Sequence, residues 1–324
     1  MPINTIEVKT ILVVRNDRFG EFLLNIPALR ALKETFPKAK ISALVNPAVK
    51  ELAGCLESID EIVEWSQGRH SFFQKLKLLS QIKSKKPDIA VIFNPAQELN
   101  IITYLAGIPV RVGYDRKWGF LLTHKMKDLK YLGLKHEVDY NLELVSLIQA
   151  TTTDKTLSIK IDDGIIKKTL EEYGLEGCDN CVALHPWASD PIKRWPARNF
   201  RRLAKMILKE KAIKLILVGG GENSAESRAL FSGLGENFTD LTGKIPLLKL
   251  AALLKRCKLL ISGDSGPMHL ACAVGTPVVA IFRNDIPGKH PRRWGPWGNG
   301  NIIIAKPNLQ DITVDEVFNE LVMS

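Results

Sequence analysis

Short runs of β-branched and aliphatic residues recur along this chain, and each gives way within a few residues to a stretch whose apolar positions fall at helical spacing. The first run, Thr10-Ile11-Leu12-Val13-Val14, is too short for a helix and too uniformly apolar for a strand with one wet face. Buried strands that alternate with helices form parallel, doubly wound sheets. The pattern predicts strands at 10–14, 41–45, 62–65 and 89–93, a blurred linker near 150–180, then strands at 181–184, 214–218, 259–262 and 278–282. The expected fold class is therefore α/β, with two Rossmann-like doubly wound domains facing a cleft. Their expected limits are 1–160 and 161–312, and the terminal segment 313–324 is a helix that is a candidate to cross back onto the first domain.

Composition narrows the partners. In 324 residues, 45% hydrophobic and 25% charged content argues for a folded chain, and 45 Lys+Arg against 35 Asp+Glu leaves +10. That balance favours anionic partners without choosing among them. No nucleic-acid recognition motif accompanies it, so nucleic acid is not expected. The first residues lack a basic, then apolar, leader, and no apolar run approaches the roughly 20 residues that span a bilayer, which predicts a soluble cytoplasmic protein. The 5 cysteines are scattered, and Cys178-x-x-Cys181 has no second ligand pair, so reduced structural thiols and no metal site are expected.

Three loops of the second half carry candidate chemistry. Ile261-Ser262-Gly263-Asp264-Ser265-Gly266-Pro267-Met268-His269 reads as a strand, a small-residue turn and a helix opening with proline. The backbone N–H groups of such a turn suit a phosphate, whereas the Asp264 carboxylate suits hydroxyls, so together they suit a sugar joined to a phosphate. The competing reading is that Asp264 and Ser265 only cap the helix. Gly219-Gly220-Gly221-Glu222 follows another strand; its glycines permit close approach of a ligand, and Glu222 can accept from ribose hydroxyls or simply open the next helix. In the loop from His185 to Pro196, Lys193 or Arg194 can neutralise a diphosphate leaving group, or stay solvated.

In the first half, Arg15-Asn16-Asp17-Arg18-Phe19-Gly20-Glu21 joins the first strand to its helix. Glu21 stands near the helix N-terminus, as a general base or as a complement to the dipole. No H-E-x-x-H, G-x-S-x-G or Walker lysine loop occurs.

In order and spacing these segments resemble the ADP-heptose:lipopolysaccharide heptosyltransferases, glycosyltransferase family nine. The resemblance takes in Ile11-Leu12-Val13-Val14-Arg15 leading to Gly20-Glu21, Arg111-Val112-Gly113-Tyr114-Asp115-Arg116, His136-Glu137-Val138-Asp139-Tyr140-Asn141-Leu142, Lys193-Arg194-Trp195-Pro196, Gly220-Gly221-Glu222, Asp264 through Ala271, and Arg293-Trp294-Gly295-Pro296-Trp297-Gly298. It implies the GT-B architecture and an inverting, metal-independent and cofactor-free transfer of heptose from ADP-heptose to an inner-core lipopolysaccharide hydroxyl. It also implies roles. Glu21 falls on the general base and Lys193 on the lysine at the donor phosphate. Glu222 falls on the ribose-binding carboxylate, and Asp264 on the residue holding heptose hydroxyls. Ser265 and Gly266 match the phosphate turn, with Gly220 and Gly221 beside the donor; His269 is a supporting candidate or a packed histidine.

Two positions depart from the family pattern. Glu21 stands where the family usually has aspartate, and Arg283-Asn284-Asp285-Ile286-Pro287 replaces the usual Gly-Pro-Thr-Asp-Pro after Phe282. For an acidic inner-core acceptor at a peripheral inner-membrane surface, the candidate contacts are Arg18, Arg111, Arg116 and Lys117, with Lys75 to Lys86 as a second basic stretch; solvated faces are the competing reading. The alternatives in function are a related transferase or epimerase with another donor sugar, and a non-catalytic protein that binds acidic glycans.

Overall fold

Strand β1 (Thr10–Arg15) is buried along nearly its whole length and pairs on both edges, as its continuous apolar run requires. The computed structural model describes residues 8–177, 180–210 and 213–323. Its contacts divide the chain into two units, one ending at Thr156 and the other beginning at Leu157. In the first unit β1 is followed by β2 (Lys40–Val45), β3 (Glu61–Glu64), β4 (Ile89–Ile92), β5 (Val110–Tyr114) and β6 (His124–Met126). The second holds β7 (Cys181–His185), β8 (Lys214–Leu217), β9 (Phe238–Asp240), β10 (Leu259–Gly263), β11 (Val278–Arg283) and β12 (Ile302–Lys306).

The sheet orders are β3-β2-β1-β4-β5-β6 and β12-β11-β10-β7-β8-β9, with every pairing parallel. Counted from each unit's own first strand, both are the doubly wound order 3-2-1-4-5-6. The sequence pattern predicts four strands in each half, and the structure adds β5 and β6 to one sheet and β9 and β12 to the other. Strands β6 and β9 are three residues long and partly polar, below what periodicity resolves.

Each sheet has its own core. Leu12, Val14, Leu44 and Ile92 centre the first, with Leu78 and Ile82 packed on them from the helix Phe72–Lys85. Leu184, Leu217, Ile261 and Ile281 centre the second, with Phe200, Leu203 and Ile207 from the helix Ala197–Glu210. The last helix, Val314–Met323, belongs to this second core. Val314, Val317, Phe318 and Leu321 pack there, and Trp195 Nε1 donates to Ile312 O at 3.0 Å just before the helix. The apolar stripe of this helix, a candidate from sequence to cross back to the first domain, is buried in the core that also receives the 197–210 helix.

Cys181 is disulfide-bonded, which corrects the expectation of uniformly reduced thiols. Cys55, Cys257 and Cys272 are free, and burial pushes the last two thiols up to about 12, so they are inert packing groups. Among the described residues, no helix is long and apolar enough to cross a membrane.

Candidate functional site

In a parallel sheet the loops that follow the strands gather at one edge, and in the second unit the loops after β7, β8 and β10 adjoin there. A side chain on Gly219 would collide with the Trp187 indole, so the loops after β7 and β8 approach closely enough that only glycine fits. A Cβ on Gly263 would lie 3.3 Å from Lys193 O, which brings the β7 and β10 loops together as well. Lys193 closes a short turn, Pro191–Lys193, capped by Asp190, whose carboxylate accepts from Ile192 N at 3.2 Å.

From that turn Lys193 Nζ reaches Asp264 Oδ2 at 2.6 Å, and both side chains are largely shielded, at 16% and 8% exposure. The ammonium also lies 5.6 Å from the centre of the Trp294 ring. Beside this pair begins the helix Gly266–Val274, and no side chain caps it. Ser265 Oγ turns toward the sheet, 2.8 Å from Ser262 Oγ, which in turn lies 3.3 Å from His185 Nδ1. Burial pushes the His185 imidazole down to about 3, so it is neutral and carries a single ring proton. Ser265 therefore does not cap the helix but turns to the sheet, and Asp264 pairs with lysine. The first turn of the helix keeps its N–H groups and its positive dipole end for an anion.

Gly220 lies under the Glu222 carboxylate, so a side chain there would strike it; Glu222 is exposed, in the turn Gly221–Asn223. His269 is buried at 3% exposure within the first turns of its helix, a packed residue rather than a surface contact.

The first unit builds a carboxylate instead. Arg15 ends β1 and is buried at 4%, with Nε 2.7 Å from Asp17 Oδ1 and Nη1 3.9 Å from Glu137 Oε1. Burial lowers its guanidinium pKa, but the Asp17, Glu137 and Glu21 charges outweigh that and hold it above the ordinary arginine value. Glu21 lies in the short helix Phe19–Leu23, its side chain 19% exposed, with Arg18 Nη1 3.9 Å from Oε1. Burial and the neighbouring Asp17 charge hold the Glu21 carboxyl above the usual glutamate range, and Arg15 and Arg18 offset this only in part. Asp17 is committed to Arg15, whereas Glu21 is a shielded carboxylate of raised proton affinity, which suits a general base.

The four arginine and lysine candidates separate. Arg18 is exposed at 65%, near Glu21. Arg116 is 58% exposed and lies 2.7 Å from Asp128, and Lys117 is exposed beside it. Arg111 is not with them. It stands near the start of β5, where its guanidinium donates to Leu121 O at 2.8 Å and to Ile108 O, and sits 5.4 Å from the Tyr104 ring centre. Its place near the amino end of β5 sets it back from the loop edge, and its donors serve local carbonyls.

Residues 75–318 match the sequence model of glycosyltransferase family 9 (heptosyltransferase). The chain belongs to that family. A Haemophilus influenzae protein provisionally described as a glycosyltransferase is 25% identical, over 97% of this chain and 96% of its own length. Lipopolysaccharide heptosyltransferase 2 of Escherichia coli is 23% identical, over 87% of this chain and 84% of its own. The solved structure of E. coli ADP-heptose lipopolysaccharide heptosyltransferase II aligns with a TM-score of 0.84 at 21% identity, covering 97% of this chain and 98% of that one. That likeness shows the fold, the GT-B architecture of two Rossmann-like units. The family 9 chain is a heptosyltransferase-like glycosyltransferase.

Sequence reasoning missed three parts of this family 9 chain. Glu137 is 1% exposed and holds Lys130 Nζ at 2.5 Å, and that ammonium lies 4.3 Å from the Tyr114 ring centre, so Arg15, Glu137 and Lys130 form one buried charge network. His70 stacks on Trp65 with ring centres 3.8 Å apart and meets Glu98 at 3.3 Å. The Ser262 hydroxyl relay from His185 is the third. Glu137 and Trp294 lie inside quoted motifs, but nothing in their spacing identifies their partners.

Proposed function

We propose that this chain transfers heptose from ADP-heptose to an inner-core lipopolysaccharide hydroxyl, with inversion and without a metal, at the cytoplasmic face of the inner membrane. The observation that carries the reading is the pairing of Lys193 with Asp264 beside an uncapped helix N-terminus. A diphosphate is offered a cation and backbone N–H groups, while the sugar attached to it is offered a carboxylate for its hydroxyls. When the donor enters, Lys193 exchanges its contact with Asp264 for phosphate oxygen, and Asp264 accepts from the sugar. Glu222 accepts from the ribose hydroxyls, with the backbone at Gly220 and Gly221 beside the nucleotide. Ser265 and Gly266 supply the turn that meets phosphate.

In the transfer the acceptor oxygen bonds to the anomeric carbon as the bond from that carbon to the phosphate oxygen breaks. Glu21 takes the acceptor proton, and its raised proton affinity strengthens it for that task near neutral pH. The negative charge gathering on ADP is met by Lys193 and the helix dipole, arranged in advance of the reaction. Arg18, Arg116 and Lys117 attract the acidic acceptor. The E. coli relative whose name includes ADP-heptose and lipopolysaccharide supports this choice of donor and acceptor.

The test is turnover of ADP-heptose with an inner-core acceptor in the presence of a chelator, with the anomeric configuration of the product read by NMR. Inverted product formed at full rate under chelation is expected. Turnover that appears only with added magnesium or manganese, or only with another nucleotide sugar, would overturn the reading.

A further inference from the structure

We propose that Glu137 and Asn141 are positioning residues for Glu21, the one acting through Arg15 and the other through the backbone at Leu24. Both stand on the helix Glu137–Ser146, four positions apart and so on one face, and both are buried, at 1% and 0% exposure. Their partners flank the proposed base. Arg15 ends β1 and Leu24 follows the short helix that carries Glu21. The proposal rests on the reading of Glu21 as the group that takes the acceptor proton.

A helix of five residues, Phe19–Leu23, is too short to hold itself in water. No side chain caps its start, and buried amides hold the backbone that follows. Asn25, 1% exposed, donates from Nδ2 to Glu21 O at 2.7 Å, and Asn141 donates from Nδ2 to Leu24 O at 3.0 Å across 117 positions of chain. An amide withdrawn from water needs partners, and both of these find them in the segment that aims Glu21.

Behind the segment lies a shared carboxylate. Glu137 Oε1 is 2.5 Å from Lys130 Nζ and 3.9 Å from Arg15 Nη1, while Arg15 Nε meets Asp17 Oδ1 at 2.7 Å. Among the described residues, Arg15 makes its ion pairs with these two carboxylates and not with Glu21. The charged groups that act on Glu21 are Asp17, Arg15 and Arg18; those that act on Arg15 are Asp17, Glu137, Glu21 and the Tyr114 phenol. Lys130 lies over the Tyr114 ring, and the Tyr114 hydroxyl donates to Tyr140 O at 3.1 Å on the helix that carries Glu137. The other titratable groups of that helix are engaged elsewhere. Asp139 meets Lys155 at 3.1 Å, Glu143 pairs with Lys135, and His136 caps the first turn by accepting from Val138 N at Nδ1.

A buried ion cluster adds little to stability, since apolar groups of similar volume often serve as well. What it adds here is a fixed field beside a carboxylate. Glu137 holds the Arg15 guanidinium back from Glu21, and Lys130 limits how strongly Glu137 does so. Loss of Glu137 then removes a negative charge and leaves Arg15 to Asp17 and Glu21, which lowers the proton affinity of Glu21. Loss of Lys130 leaves Glu137 wholly to Arg15 and raises it. The two changes pull in opposite directions, which a loosened core would not do.

The test reads Glu21 without substrate, by NMR titration of the full chain labelled with carbon-13 at its glutamate carboxyls; the Glu21 signal is the one that Glu21→Gln removes. Glu137→Gln should lower the Glu21 midpoint by about half a pH unit, and Lys130→Met should raise it by about as much. The double variant Glu137→Gln, Lys130→Met should melt close to wild type and titrate between the two. Together with Lys130→Met it decides the matter even where Glu137→Gln alone does not fold. Asn141→Leu should speed exchange of the amide hydrogens at 22–25 by about tenfold or more over those of β1, and lower kcat by about tenfold at unchanged ADP affinity. Midpoints that move in one direction, or that stay fixed in folded variants, would overturn the role of Glu137. Exchange raised equally along β1, or an unchanged kcat, would overturn that of Asn141. Failure of the wild-type chain to use ADP-heptose, with the titrations and local exchange as expected, would count against the transfer reading alone.

Discussion

The loop after β1 leads to Glu21, a shielded carboxylate whose proton affinity is raised, while the topologically matching loop after β7 leads to Lys193, an ammonium already paired with a carboxylate. Both stand where the first strand of a 3-2-1-4-5-6 sheet ends. The second unit surrounds that point with a helix N-terminus, glycines and small hydroxyls, and exposes almost no large apolar side chains. The first sets Arg15, Asp17 and Arg18 about it, with outward aromatics in the segments after β3, β5 and β6. One strand order therefore carries glycines, small hydroxyls and a helix N-terminus at the loop edge of one unit, and lysines with outward aromatics in the loops of the other. The scaffold sets where loops converge, and the loop residues set the chemistry.

The division is broken most severely at Glu21. Glu21→Gln should lower kcat by roughly 10²–10⁴-fold, as expected for loss of a general base. The wild-type rate should fall on the acid side with a midpoint above the usual glutamate range, and that limb should be absent in the residual activity of the variant. Stability should move the other way. A carboxyl whose folded-state pKa is raised stabilises the fold fully below its unfolded-state value, and this is lost as pH rises through the folded value. Glu21→Gln should therefore melt at a higher temperature than wild type at neutral pH, which calorimetry can check.

A comparable loss, in stability rather than rate, should follow Glu137→Gln. It leaves Lys130 and Arg15 without their shared carboxylate in the interior, a change that typically costs about 3–5 kcal/mol in urea unfolding. Lys193→Ala should slow transfer by roughly 10²–10³-fold, the usual effect of removing one preorganised charge from a leaving group. A change under about threefold would move the phosphate contact to Arg194. The smallest effects sharpen the first unit internally. Arg116→Glu should raise the acceptor KM by roughly tenfold and leave ADP affinity alone. Arg111→Ala should leave both unchanged and cost about 1–2 kcal/mol of stability, because its guanidinium serves the Leu121 and Ile108 carbonyls.

Much of this was legible because parallel sheets gather their loops. Once 10–14 and 181–184 read as buried strands, the loops holding Glu21, Lys193, Gly219–Glu222 and Asp264 had to lie at strand ends. Alternation also gave the two units. It could not give β6 or β9, whose three residues show no period, nor the destination of the last helix, since an apolar stripe does not name the core that takes it. Partners distant in sequence were equally hidden: Arg15 and Glu137 meet across 122 positions, and nothing in the turn marks Ser262 as the partner of Ser265. Arg111 and Arg116 share one segment, yet a strand lies between their surroundings. Aromatic content itself gives no sign of which rings face outward.

The central claim is that donor binding and proton transfer belong to different units, and paired calorimetry and kinetics on Glu21→Gln and Lys193→Ala test it most directly. With a chelator present, Glu21→Gln should bind ADP with wild-type affinity while its turnover collapses, and Lys193→Ala should lose affinity and turnover together. Near wild-type turnover in Glu21→Gln with Asp17→Asn inactive, or ADP binding that falls in step with turnover in Glu21→Gln, would contradict the account.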